Sequence, residues 1–116
     1  MEQMQTESKD LFGICPYATA QKIFSGKYGI LIIHLLSKQP YRFGELQRKL
    51  PPLTQTTLTK QLKYLEQYHM VHREVYREIP PKVEYSLTKM GQNFIPVLEA
   101  FEEFGKKYID DMHENN

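Results

Sequence analysis

The spacing of apolar residues changes twice along this chain, and that change limits the folds open to it. Up to Gln67 the apolar residues recur three or four positions apart, which is typical of helices with one buried face. From Val71 to Leu87 they alternate with polar residues, as in strands. The helical spacing then returns and continues to Met112. We therefore expect one small domain in which helices surround a single β-hairpin.

Two helices are predicted before residue 40. The first begins at Pro16 and ends near Ser25. The second is predicted within KYGILIIHLLSK, up to a polar stop at Ser37 and Lys38. Its run from Gly29 to Leu36 is apolar on nearly all sides, so it should be the central buried helix. Because His34 lies within this run, it is expected to be a hydrogen-bonded core residue.

Two further helical segments follow, separated by a short turn. The first, 43–50, has apolar residues at i, i+3 and i+7, and the proline pair at 51 and 52 ends it. The second is expected over about 54–67, with Thr54 as its N-cap. Its apolar face consists of three leucines: Leu58, Leu62 and Leu65.

The alternating segments VHREVY and KVEYSL, at 71–76 and 82–87, predict the two strands of a β-hairpin. The residues REIPP between them include two prolines, which cannot donate ladder hydrogen bonds. A protruding loop should therefore connect the strands. We call this loop the wing and expect it at about 76–83.

A long amphipathic helix is predicted after the hairpin, capped by Thr88 and kinked by Pro96. Its apolar stripe is longer than the rest of so small a domain can cover. Four residues are expected to remain uncovered and to form a dimer interface: Phe101, Phe104, Tyr108 and Met112. The alternative is that this helix folds back onto its own core.

The ends of the chain and its composition fit one globular domain. Residues 1–13 are predicted to form a flexible arm, 14–112 the folded domain and 113–116 a disordered tail. The start of the chain lacks the features of a signal peptide, and the longest apolar run is far shorter than the roughly 20 residues of a membrane span. A single cysteine permits no internal disulfide, which fits a reducing compartment. Together these features predict a cytoplasmic protein with no membrane partner.

Charge is unevenly distributed, although the net charge is only +1. Residues 38–82 carry nine basic and four acidic side chains, whereas the rest of the chain has a net charge of −4. A basic middle between acidic ends suits contact with a polyanion through one face. Ordinary solvated charge is the alternative explanation.

The helix predicted at about 54–67 carries side chains suited to a DNA major groove. With its leucines on the core, its N-terminal half presents amide, hydroxyl and ammonium groups without a carboxylate, and such groups bond to base edges. A solvated helix face is the alternative for the same residues. The expected base contacts are Gln55, Thr56, Thr57, Thr59 and Lys60. The expected phosphate contacts are Arg42, Arg48, Lys49, Lys63, Arg77 and Lys82.

The order of elements is that of a winged helix-turn-helix domain, a mainly α fold with a β-hairpin wing (α+β). Four segments resemble the HxlR-type winged helix-turn-helix regulators of bacteria, a MarR-like family: CPYATAQKIFSGKYGILIIHLL, RFGELQRKLPPLTQTTLTKQLKYLE, REVYREIPPKVEYSLTKMG and IPVLEAFEEFG. The resemblance covers residues 15 to about 108. Two departures from the family pattern are Tyr28, where it usually has tryptophan, and His69, where it usually has glycine.

The resemblance implies a dimeric transcription regulator that contacts double-stranded DNA through the helix beginning near Thr54 and through the wing. It also implies that the first and last helices pair the two subunits of a homodimer. Twofold symmetry would place two recognition helices about 34 Å apart, one DNA turn, so that the operator should be palindromic.

Cys15 precedes Pro16, which should make it the N-cap of the first helix. A thiol at that position faces free backbone amides and is expected to react readily. Several members of the resembled family sense oxidants or electrophiles through a cysteine at this site. An oxidant or small-molecule effector acting on Cys15 is therefore one hypothesis, and an inert structural thiol is the other.

Other functions have less support in the sequence. A winged helix that serves only as a protein-interaction module, without DNA binding, is the main alternative. No nucleophile–base–acid triad, phosphate loop or carboxylate pair is recognisable, and a thiol redox enzyme would lack a resolving cysteine, so no enzymatic activity is expected. His69 and His72 straddle a helix end and a strand start, and neither a metal nor another cofactor is expected.

Overall fold

The structure is a computed structural model that describes residues 11–115. Residues 1–10 of the predicted arm and Asn116 of the predicted tail lie outside this range, whereas 11–13 form part of a turn that leads into the first helix. The helices are α1 (Pro16–Ile23), α2 (Gly29–Leu36), α3 (Phe43–Lys49), α4 (Gln55–Gln67), α5 (Lys89–Gln92) and α6 (Ile95–Glu114). The strands are β1 (Tyr41–Arg42), β2 (Val71–Tyr76) and β3 (Lys82–Leu87). No helix within residues 11–115 has the length and apolar character needed to span a bilayer.

The three strands form one antiparallel sheet in the order β1–β3–β2. The hairpin of β2 and β3 lies where the alternating pattern predicts it. The strand β1 is an addition, in which Tyr41 pairs with Tyr85 and Arg42 pairs with Glu84. Two residues are too few to show alternation, so this strand had no detectable sequence signal.

The core lies between the helices and one side of the sheet. On α4 the three predicted leucines, Leu58, Leu62 and Leu65, are at most 1% exposed. The other buried apolar residues are Ile32, Ile33, Leu36, Tyr41, Leu46, Leu50, Leu53, Met70, Val71, Tyr85 and Leu98. Because these residues come from α2, α3, α4, α6 and the sheet, one core fixes the orientation of α4 relative to the hairpin.

Helix α2 buries only one face, through Ile32, Ile33 and Leu36. Leu31 is 44% exposed, and His34 is exposed as well. The prediction that His34 is a core residue is therefore wrong. A run that is apolar on all sides has no polar face to mark the solvent side, and the spacing alone could not show which residues would be covered.

The prediction of one kinked helix after the hairpin is also wrong. Thr88 is an N-cap as predicted, since its Oγ1 accepts the N–H of Gly91 at 3.0 Å, but α5 ends at Gln92. Pro96 lies in the first turn of α6, where a missing N–H breaks no helical hydrogen bond. The proline thus begins a new helix, which continues to Glu114 and so includes the first two residues of the predicted tail.

Candidate nucleic-acid interface

Helix α4 begins at a defined cap and is held by its leucine face. Thr54 has an extended backbone, and its Oγ1 accepts the N–H of Thr57 at 3.1 Å. This is the predicted N-cap, and it satisfies one of the amides left without a helical partner in the first turn. Since the leucines point into the core, the opposite side of the helix points outward.

The outward side of α4 carries the residues predicted to contact bases. Gln55, Thr56, Thr57 and Lys60 are exposed. Thr59 is half-buried, and its hydroxyl donates to the backbone oxygen of Gln55 at 2.8 Å. What Thr59 can offer to a base is therefore its methyl group and an acceptor lone pair, rather than a proton.

The six cations predicted to contact phosphate are not equivalent. Lys82 is half-buried, and its Nζ lies 3.8 Å from Glu84 Oε2 and 4.8 Å from the centroid of the Tyr76 ring. These contacts tie Lys82 to the base of the wing, so it has less freedom than the others to reach a phosphate. The remaining five are exposed: Arg42, Arg48, Lys49, Lys63 and Arg77.

One side of the hairpin is acidic. Glu74 and Glu84 face each other in the β2–β3 register, and His72 Nε2 lies 2.8 Å from Glu74 Oε1. The Tyr76 hydroxyl donates to Glu84 at 3.4 Å, and the negative charge of Glu84 raises the pKa of Tyr76 above its usual value. The hydroxyl is thereby kept protonated as a donor. Carboxylates on this side repel phosphate, and they weaken any phosphate contact of Lys82, which lies on the same side, so the opposite side of the hairpin is better suited to a nucleic acid.

The four residues predicted to form a dimer interface are exposed along α6. The aromatic rings of Phe104 and Tyr108 lie 6.1 Å apart on this surface. Only the first turns of α6 pack on the core, where Leu98 is buried. The exposed fractions are 49%, 65%, 58% and 48% for Phe101, Phe104, Tyr108 and Met112, respectively.

Cys15 is the N-cap of α1, as the sequence predicts, and its half-buried thiol makes no capping hydrogen bond. The turn before it packs on Tyr68, the C-cap of α4. The ring of Phe12 lies edge-on to that of Tyr68, with centroids 5.6 Å apart. Nearby, the Tyr64 hydroxyl donates to the carbonyl oxygen of Lys22. The segment that carries the cysteine is therefore in direct contact with α4.

Known proteins share this sequence pattern and fold. The model of the HxlR-like helix-turn-helix family matches residues 23–113. The chain belongs to this family.

Three proteins illustrate the similarity. The uncharacterized HTH-type transcriptional regulator YdeP of Bacillus subtilis (strain 168) is 45% identical over 104 residues, which cover 89% of this chain and 80% of YdeP. The redox regulator HypR in its reduced form superposes with a TM-score of 0.81 at 36% identity, covering 86% of this chain and 99% of that one. The reduced transcriptional regulator YodB from B. subtilis gives a TM-score of 0.73 at 34% identity, covering 81% and 93%. This chain is thus a helix-turn-helix transcriptional regulator, and its winged helix fold is confirmed.

The HxlR-like chain ends α4 in an unusual way. At the position where the resemblance implies glycine, His69 has a left-handed backbone with φ of +62°. The His69 N–H donates to the oxygen of Glu66 and the Met70 N–H to that of Leu65, both at 2.9 Å. These are the two hydrogen bonds of a Schellman motif. The helix therefore keeps the termination that glycine favours, although histidine occupies the position.

The two histidines considered for a metal have separate surroundings. His69 is exposed at the end of α4, while His72 is bonded to Glu74 on the acidic side of the hairpin. Within residues 11–115, no group of three or more His, Cys, Asp or Glu residues is placed to hold a metal ion.

Sequence reasoning missed one cation of this HxlR-like domain. Arg73 alternates with Val71 and so lies on the side of β2 that turns toward the helices. It is nevertheless exposed, and it lines a cleft with Lys63 and Thr59 of α4. A charged residue at a strand position that should face the core was the signal that could have found it.

Proposed function

We propose that this regulator binds a specific operator in double-stranded DNA, with α4 in the major groove and the wing on the backbone or in the minor groove. The observation that carries the proposal is the outward side of α4. It exposes amide, hydroxyl and ammonium groups and has no carboxylate before Glu66, while buried leucines fix the opposite side. A groove about 12 Å wide admits such a helix with its side chains at the base edges.

Base contacts are assigned to the N-terminal half of α4. Glutamine pairs with adenine through two hydrogen bonds, lysine donates to guanine, and threonine offers a methyl group to thymine. The residues assigned to base contact are Gln55, Thr56, Thr57, Thr59 and Lys60. The exposed cations Arg42, Arg48, Lys49, Lys63 and Arg77 are assigned to phosphates, and Lys82 is assigned a weaker phosphate contact because Glu84 and Tyr76 hold it.

The active form is proposed to be a homodimer joined through the terminal helices. The support is the exposed stripe of α6, since a protein of this size rarely leaves so many adjacent aromatic residues in water. Two copies related by a twofold axis would bind a palindromic operator with half-sites about 34 Å apart. Such a DNA partner implies a cytoplasmic site of action.

Selection of bound sequences from a random duplex pool tests the operator and the symmetry together. We expect a palindrome from the parent protein. Lys60→Ala and Thr56→Ala should relax the sequence preference, because they remove groups that contact bases. Lys63→Ala and Arg77→Ala should weaken binding to all sequences about equally, because phosphates are the same at every site. Four variants that select the parent's sequence with the parent's affinity would refute these assignments.

The salt dependence of binding separates this proposal from a protein-interaction module. A protein that contacts about 6–10 phosphates loses a factor of roughly 10³–10⁵ in affinity between 50 and 200 mM salt. A winged helix that binds only proteins would select no duplex from the pool at either salt concentration. That outcome would replace the DNA proposal with the alternative.

Regulation through Cys15 by an oxidant or electrophile is the second part of the proposal. One supporting observation is the similarity to HypR, a redox regulator. The other is the contact between the segment that carries the cysteine and the C-terminal end of α4, where Phe12 packs on the C-cap Tyr68. An adduct on Cys15 that displaces this segment would remove a contact from the helix that is proposed to bind bases.

Reaction with a neutral alkylating reagent tests the reactivity of Cys15. With iodoacetamide as the neutral reagent, a bond forms between its methylene carbon and Sγ, the carbon–iodine bond breaks and releases iodide, and the thiol proton passes to solvent. We expect the native protein to react faster than the unfolded chain and to lose operator affinity on reaction, whereas Cys15→Ser should bind DNA and ignore the reagent. Equal or slower reaction of the native protein would refute a sensing role and leave the DNA proposal intact.

A further inference from the structure

A cleft of about 360 Å³ separates α4 from β2. Its lining combines two cations, a hydroxyl, a carboxylate and a tyrosine: Lys63, Arg73, Thr59, Glu66 and Tyr85. The three residues from α4 are spaced i, i+4 and i+7, so they form one ridge of the helix, adjacent to the outward side. The cleft therefore runs between the proposed base-reading surface and the hairpin.

The path of β2 explains why an arginine can occupy this position. Val71, near the start of the strand, is 3% exposed, but the strand then leaves the helical core. Arg73 is the next residue on the same side and lies opposite Tyr85 in the register. It is exposed, as is Lys63 across the cleft. Among the described residues neither cation is held in an ion pair, so both are available to an anion.

The geometry of B-DNA indicates which anion would enter. A major groove and the adjacent minor groove are separated by one phosphate backbone. If α4 lies in the major groove and the wing reaches the next minor groove, that backbone must pass between the helix and the hairpin. We propose that Arg73 and Lys63 clamp this backbone from two sides, an inference that rests on the proposed DNA-binding function.

Glu66 gives the cleft an internal opposing charge. Its carboxylate lines the same space, so a phosphate held by the two cations is also repelled by Glu66. The clamp therefore binds a phosphate more weakly than two cations alone would. A protein that has to leave its operator when a signal arrives gains from such a limit on affinity.

The experiment measures affinity for an operator duplex and for an unrelated duplex over a range of salt concentrations. Arg73→Ala should lower both affinities and reduce the slope of log K against log salt by about 0.9, the contribution of one phosphate. When salt is raised from 50 to 200 mM, the parent should therefore lose about 3.5 times more affinity than the Arg73→Ala variant. Arg73→Lys should retain most of the slope because it keeps the charge.

Glu66→Gln provides a test in the opposite direction, with higher affinity expected for both duplexes. Lys107→Ala is the matched control, since it removes one exposed cation from α6, outside the cleft, and should leave the slope unchanged. Thermal unfolding of each variant checks whether the fold is retained.

The outcomes separate this inference from the function on which it rests. A parent that binds DNA with a steep salt dependence, together with an Arg73→Ala variant of the same slope, refutes the clamp and leaves the function standing. A change of sequence preference without a change of slope would make Arg73 a base contact instead, and would also refute the clamp. A parent that binds neither duplex refutes the function itself.

Discussion

Helices α4 and α6 carry the same sequence signal and have opposite surroundings. Both have apolar residues at helical spacing on one side. The leucines of α4 are at most 1% exposed, whereas Phe101, Phe104, Tyr108 and Met112 of α6 are 48–65% exposed. Periodicity therefore predicts that a helix has a face to bury, but it does not say whether the same chain or another one covers that face.

The difference follows from where each helix lies in the chain. Helix α4 is followed by the hairpin, and the core residues of α2, α3 and the sheet surround it. Helix α6 is the last element, and only its first turns reach that core, through Leu98. Burial within one chain fixes the proposed base-reading surface, whereas the exposed stripe of α6 is the surface through which two copies are proposed to pair.

The largest effect, a loss of folding stability, is expected when a leucine on the covered face of α4 is truncated. Leu62→Ala should lower the free energy of unfolding by about 2–5 kcal/mol, because it leaves a cavity in the core beneath α4. Denaturant unfolding at a fixed protein concentration measures this loss. Leu31→Ala is the matched control, since Leu31 is 44% exposed and its truncation should cost far less. Equal losses from the two variants would contradict the contrast between covered and uncovered faces.

A substitution on the uncovered face of α6 should weaken the proposed dimer more than it destabilises the fold. Phe104→Glu is expected to raise the dimer dissociation constant by about 30-fold or more, the effect of losing an aromatic hot spot worth about 2 kcal/mol. Sedimentation over a range of concentrations measures the change, and circular dichroism checks that the helices are retained. Lys106→Glu places the same charge on the opposite side of α6 and should leave the dimer intact. A parent that stays monomeric at all concentrations would refute the interface.

The sequence predicted best those elements in which several local signals agree. Helix α4 has a cap at Thr54, three leucines on one face and a change of periodicity after its end, and its predicted bounds are confirmed. The hairpin is similarly defined, because alternation and two prolines mark its strands and loop. The outward side of α4, and with it most of the proposed site, follows from these two elements.

The remaining features depend on tertiary contacts that no local pattern carries. Strand β1 exists because Tyr41 pairs with Tyr85, forty-four residues later in the chain. Pro96 is compatible with a kink or with a helix start, and only the end of α5 at Gln92 decides between them. Arg73 becomes part of a cleft because β2 leaves the core after Val71, and its position in the sequence does not show this.

The smallest effect is a change in stability expected at the C-terminal end of α4. Helices α4 and α6 also differ in how they end. Helix α4 ends in a Schellman motif, and Thr88 donates its hydroxyl to the carbonyl of His69. Helix α6 ends at Glu114, and its C-cap Asn115 bonds back to Asp111 of the same helix. His69 has φ of +62°, a region that costs most residues about 1–2 kcal/mol and glycine almost nothing.

Replacement of that histidine tests whether its backbone or its side chain matters. His69→Gly should raise the free energy of unfolding by about 1 kcal/mol, less a few tenths for the greater freedom of glycine in the unfolded chain. The melting temperature should rise by roughly 4 °C, whereas His69→Ala should give no gain because alanine has the same backbone restriction. A glycine variant less stable than the parent would mean that the imidazole of His69 contributes more to the free energy of unfolding than its left-handed backbone costs. The orientation of the proposed base-reading surface would then depend on a side chain that the family pattern lacks.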